Sequence, residues 1–150
     1  MYNALSVARF IVDYCNSIKS GISNLKLQKI LYFVQADFLV STPQHTPCFS
    51  DEIEAWDFGP VVPSVYHHYK VYGSSIIPSD QNDPFLPFYI KIKPDDEQMI
   101  TAMIDALIPY SASQLVAITH NQSPWQNAYI RGLNNVISKE SIKTFFEGSG

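Results

Sequence analysis

Residues 53–73 read Ile-Glu-Ala-Trp-Asp-Phe-Gly-Pro-Val-Val-Pro-Ser-Val-Tyr-His-His-Tyr-Lys-Val-Tyr-Gly. Trp56, one of two tryptophans, stands three residues before a Gly-Pro step, and a tyrosine-rich segment follows at once. Gly59 can take backbone angles closed to other residues, while Pro60 fixes its own φ and pushes the residue before it out of the helical region. Pro63 falls where a first helical position would, with Val65, Tyr66, Tyr69 and Tyr72 at helical spacing behind it. The stretch therefore reads as a buried aromatic anchor at Trp56, a sharp turn at Gly59-Pro60 and a short helix. Just upstream, Phe49, Ile53 and Ala55 are interspersed with Asp51, Glu52 and Glu54, which predicts a brief extended segment leading into the turn.

The chain on either side is patterned as helix. Asn3 can cap a first helix over roughly residues 4–20, with Ala4, Ala8, Ile11, Cys15 and Ile18 on one face. Ser6, Arg9, Asp13 and Asn16 form its opposite, polar face, and Ser20-Gly21 stops it. Asn24 is placed to cap a second helix, Leu25 to Leu39, whose main stripe is Leu27, Ile30, Leu31, Val34 and Phe38. Tyr32, Phe33 and Leu39 make this helix apolar on a second side, which predicts a central position with Leu27 and Leu31 as anchors. Residues 41–50, with Pro43 and Pro47, read as a loop, and residues 74–94, with four prolines, as a long irregular stretch. Within the latter, Phe88 to Lys93 alternates with period two and predicts a short strand.

Further on, Asp95 and Gln98 have the spacing of a capping box ahead of Ile100, Met103, Ile104 and Leu107, and Pro109 ends that helix. Ser111 and Gln114 repeat the spacing, Ser123-Pro124-Trp125 opens another helix with Trp125 as an anchor, and a last helix starts near Ser138. There Ile137 and Ile142 are placed as a hydrophobic staple, with Phe145-Phe146 closing the core. The expectation is a mainly α, compact single domain of six to seven short helices with at most a small β element, over residues 1–147, followed by a flexible tail at 148–150.

Composition bears on function by exclusion. Charged residues are 16% of the chain, against about 25% in an ordinary soluble domain, whereas Phe, Tyr and Trp together number twenty. Such a chain either has an unusually well-filled core or leaves apolar surface for a partner. A net charge of −4 with scattered Lys and Arg speaks against a general nucleic-acid partner. No run of about 20 apolar residues predicts a membrane span. Two cysteines, Cys15 and Cys48, predict no disulfide framework, and with no signal peptide visible the expected compartment is the cytoplasm.

Catalytic and cofactor patterns are sparse. The histidines, His45, His67, His68 and His120, lack metal-ligand spacing, and adjacent His67 and His68 on a helix point about 100° apart. There is no nucleophile elbow and no glycine-rich phosphate loop, so no cofactor and no metal are expected. The acidic groups Asp51-Glu52-Glu54 and Asp95-Asp96-Glu97 read first as solvated surface and helix N-terminus. A small hydrolase pairing His120 or His67 with Asp51, Glu52 or Glu54 is the competing enzymatic reading.

Four segments in order resemble one family. They are Leu25 to Phe33 (L-K-L-Q-K-I-L-Y-F), Glu54 to Val61 (E-A-W-D-F-G-P-V), Val65-Tyr66 through Tyr72-Gly73, and Leu115 to Trp125 with Thr119-His120 and Pro124-Trp125. The order is similar to that of the Panacea domain, the SocA-like and phage GepA-like proteins, and covers nearly the whole chain. His67-His68 departs slightly from the pattern, and Asn121-Gln122 stands where the family more often carries an acidic pair. The resemblance implies a non-enzymatic antitoxin that neutralises a cognate protein toxin encoded beside it by direct contact. It implies two routes, blocking or delivery to a cytoplasmic AAA+ protease; a phage factor acting on a host protein is the alternative. The expected contact surface is Gly59, Pro60, Val61, Tyr66, Tyr69 and Tyr72, with the 74–94 stretch, around Trp56 as scaffold.

Overall fold

In a computed structural model, which describes residues 1–148, the longest helix runs through the middle of the molecule. This helix, α2 (Asn24–Ser41), packs against α1 (Ala4–Ser17), α3 (Pro63–Tyr69), α4 (Pro94–Leu107), α5 (Ala112–His120) and α7 (Lys139–Gly148). Leu27, Ile30, Leu31, Tyr32, Val34 and Phe38 are all buried, so the two-sided apolar pattern does mark the central helix. The short helix α6 (Ser123–Ala128) and a three-stranded antiparallel sheet complete the fold. The sheet has the order β2-β1-β3, with β1 (Ile53–Trp56), β2 (Gly59–Val61) and β3 (Val136–Ile137). Among the described residues, no single helix is long and apolar enough to cross a membrane.

Helix ends follow local chemistry, with some differences from the sequence pattern. Asn3 caps α1 by accepting from the Ser6 amide at 2.8 Å. That helix stops at Ser17, because Lys19 and Gly21 both take positive φ and fold the chain back onto the Cys15 carbonyl. Ser23, not Asn24, caps α2, which frees the Asn24 side chain for a tertiary role. Ser111 and Gln114 form the expected reciprocal capping box of α5. The Asp95–Gln98 box does not form: Pro94 occupies the first turn of α4 and Lys93 the cap position, so Asp95 lies inside the helix. Similarly, Gln122 takes the cap position of α6 and Ser123 is its first residue. Ser138 caps α7 through the Ser141 amide, Ile137 and Ile142 are buried on either side of it, and Phe146 packs edge-on against Tyr32 and Phe33. Gly148, expected as the start of a tail at 148–150, is instead the last residue of α7, and residues 149–150 lie outside the described residues.

The polar face of α1 is partly covered. Ser6 and Arg9, assigned from spacing to the face opposite its apolar stripe, are buried under the 77–93 segment. Ser6 accepts from the Ile90 amide, and Arg9 reaches Asp13 and Asp83. The strand expected over Phe88 to Lys93 is absent: a 3-10 turn, Leu86–Phe88, occupies its start. The Ile90 and Lys93 amides bond the Ser6 and Tyr2 hydroxyls instead of a strand neighbour. The segment is thus a strap tied down by side chains. Its hub is the buried Asp83, which accepts from Tyr89, Arg9 and its own loop at Phe85. These donors hold its carboxyl below the usual range against the opposing effect of burial.

Candidate partner-binding site

The hairpin of β1 and β2 sets the geometry of the site. Trp56 pairs with Gly59 and Ala55 with Pro60, so the turn itself is Asp57-Phe58 and the Gly-Pro step begins a strand. This corrects the expected turn position. Gly59 is still needed there: its φ is +105°, and a Cβ would lie 2.8 Å from both Lys29 Cε and Thr119 Oγ1. Alternation along β1 buries Ile53 and Ala55 and turns Glu54 and Trp56 to the other face. Trp56, expected as a buried anchor, is therefore only half-buried. Its ring packs edge-on against Tyr66 at 4.9 Å, and its indole N–H donates to Glu54 at 2.9 Å.

That outward face is the wall of a groove of about 530 Å³, within the usual range of ligand sites, about 300–1,000 Å³. Leu25, Trp56, Phe58, Val61 and Tyr66 supply its apolar lining, and Lys70 stands at its margin. Phe58, at the tip of the turn, is 66% exposed. Gly132 and Asn134, just before β3, form another part of the wall.

Beneath the groove a buried polar chain fixes α2 to β2 and α3. Asn24 donates to the Tyr66 carbonyl, Gln28 donates to Asn24, and Gln28 accepts from the Val62 amide. Lys29, with 0% exposure, donates to the Pro60 carbonyl at 2.9 Å. Burial without a carboxylate beside it lowers its pKa to about 7. The Pro60 carbonyl and Val62 amide at the end of β2, and the Tyr66 carbonyl in α3, are thereby satisfied, where an orphaned buried group would be costly.

A second device holds the turn from the side. His120, Trp125 and Tyr129 stack, with centroid spacings of 4.1 and 4.5 Å. The Trp125 indole donates to the Trp56 carbonyl at 2.8 Å, His120 Nε2 lies 2.9 Å from the Asp57 carbonyl, and the Tyr129 hydroxyl donates to the Asp57 carboxylate. His120 and Trp125 thereby meet the Trp56-Asp57 backbone some 60 residues away in sequence. Trp125 is a half-buried clamp rather than a core residue.

The expected contact residues divide. Val61 and Tyr66 line the groove, Gly59 and Pro60 are buried beneath it, and Tyr69 and Tyr72 turn away toward Arg9 and the strap. Leu27 and Leu31 are fully buried. Phe58, Leu25 and Lys70 were not singled out, and neither was the Asn24–Gln28–Lys29 chain. Gln28 and Gln35, seven residues apart on one face of a helix apolar on two sides, were the available signal. Gln35 is also fully buried and bonds the Cys48 and Phe49 backbone.

The residues of the enzymatic reading are separately engaged. Asp51 accepts from the Ala4 amide and Ser64, Glu52 lies 3.9 Å from Lys139, and Glu54 holds the Trp56 indole. His67 packs against Trp56 and Tyr66, and His120 against Trp125. Among the described residues, no cluster of His, Cys, Asp and Glu could hold a metal ion.

Three comparisons bear on this site. A family model described as "Antitoxin SocA-like, Panacea domain" matches residues 27–126, which include the hairpin, α3, His120 and Trp125. The chain is also 35% identical over 130 residues to Antitoxin SocA of Caulobacter vibrioides (strain NA1000 / CB15N), covering 82% of this chain and 68% of that protein. No solved structure gives a significant match.

Proposed function

The chain belongs to the SocA-like, Panacea-domain antitoxin family, and from that premise we propose that it neutralises a protein toxin by direct binding in the Trp56–Tyr66 groove. The observation that carries this reading is the exposed apolar lining of the groove. A half-buried tryptophan and an exposed phenylalanine sit on a turn held by the His120–Trp125–Tyr129 stack and the buried polar chain. Rigid aromatic groups of this kind dominate binding energy at protein interfaces, because they bury large area with little loss of conformational freedom. The composition agrees, with few charges and many aromatics.

The toxin is expected from the neighbouring gene and the encounter in the bacterial cytoplasm. Co-expression in a toxin-inhibited strain tests both binding and route. Rescue of growth with the toxin level unchanged means blocking; rescue with loss of the toxin means delivery to a protease. If the neighbouring product is not toxic, or neither growth nor a complex is recovered, the antitoxin role is refuted for this chain.

A further inference from the structure

We infer that the groove selects an apolar segment of its protein partner carrying an acidic side chain, with Lys70 as the group that receives it. This deepens the toxin-binding reading and rests on it. The groove's polar atoms are unequally committed. Asn24 Oδ1 and Gln28 Oε1 already accept from Gln28 and Val62, whereas the Nδ2 and Nε2 amides each carry two N–H groups and spend one, on Tyr66 and Asn24 respectively. Both side chains are more than nine-tenths buried, so a spare N–H at the groove has little access to bulk water. Asp57, the one carboxylate in the lining, is held by Tyr129, which lies outside it. The Lys70 ammonium is engaged by no hydrogen bond or ion pair among the described residues, its backbone carbonyl alone accepting from the Gly73 amide. An apolar trough with unspent donors and an uncommitted ammonium complements an apolar side chain flanked by a carboxylate. A segment flanked by a cation would instead face the Lys70 ammonium, with Asp57, already bonded by Tyr129, as the one carboxylate in the lining.

The probes are two blocked hexapeptides, acetyl-Ser-Asp-Phe-Leu-Asp-Ser-amide and its analogue with both aspartates replaced by lysine. Each is titrated into the isotope-labelled protein while the two indole N–H resonances are followed by NMR, assigned with Trp56→Phe. The acidic peptide is expected to shift the Trp56 indole, with the lysine peptide about tenfold weaker. Lys70→Glu, on an exposed side chain, is expected to reverse the order. Equal affinities, shifts confined to residues outside the groove, or an order unchanged by Lys70→Glu would each overturn the assignment. Loss of the peptide preference while groove variants still lose toxin neutralisation would remove only the acidic-segment inference. Retained preference in a protein whose groove variants still neutralise would remove the toxin site.

Discussion

Lys29 shows how a single side chain can serve the site without touching a partner. Its pKa of about 7 in the folded chain lies below the 10.5 of an exposed lysine. Above pH 7 the unfolded chain therefore holds a proton that the folded chain has released, and stability rises with pH. Between pH 7 and 8.5 the gain is about 1–2 kcal/mol; Lys26, also lowered by burial, contributes with the same sign. At higher pH the trend reverses, since burial raises Cys15 to about 11 and its proton must be kept. Denaturant titrations across that window should show the rise in the native chain and most of it lost in Lys29→Met. Gly59→Ala is expected to destabilise by more than about 1 kcal/mol, because it adds a methyl at a positive φ against Lys29 and Thr119; an unchanged denaturation midpoint would contradict the packing described. At this scale the glycine was legible in sequence, since a Gly-Pro step announces a special backbone. The burial of Lys29 was not, because a lysine on a helix ordinarily points to solvent and only the fold places Pro60 over it.

The hairpin and its clamp act as a unit. Trp125→Phe keeps the stack on His120 and Tyr129 but removes the donor to the Trp56 carbonyl. It should cost about 0.5–1.5 kcal/mol and speed amide exchange at Phe58 and Gly59 while leaving α4 unchanged. Uniform acceleration across all helices would mean that Trp125 supports the whole core instead. Element existence was largely legible: the caps at Asn3 and Ser111, the staple at Ile137 and Ile142, and the two-sided apolar run of α2 each have a local cause. The strap was not. Its period-two segment, Phe88 to Lys93, has the pattern of a strand, but its amides are taken by Ser6 and Tyr2, far away in sequence. Trp56 was misplaced for a related reason. Its type suggests burial, whereas alternation from Ile53 and Ala55 turns it to the other face.

Across the whole molecule, the core and the proposed recognition groove are built from different residues. The core lies around α2, and Leu31→Ala should cost about 2–5 kcal/mol, seen as a lower thermal midpoint. The proposed binding face lies on the sheet's outer side, where substitutions at exposed positions should leave that midpoint nearly unchanged. The central claim is that the groove, and not the strap, holds the toxin. Phe58 in the turn is 66% exposed and Phe88 on the strap 72% exposed, so each can be changed to aspartate without emptying the core. The most direct measurement is the affinity of purified Phe58→Asp and Phe88→Asp chains for the neighbouring gene's product, by calorimetry, beside their melting curves. The groove account predicts native-like melting for both, binding weakened at least about a hundredfold by Phe58→Asp, and native affinity for Phe88→Asp. Native affinity in Phe58→Asp, or loss only in Phe88→Asp, would contradict it.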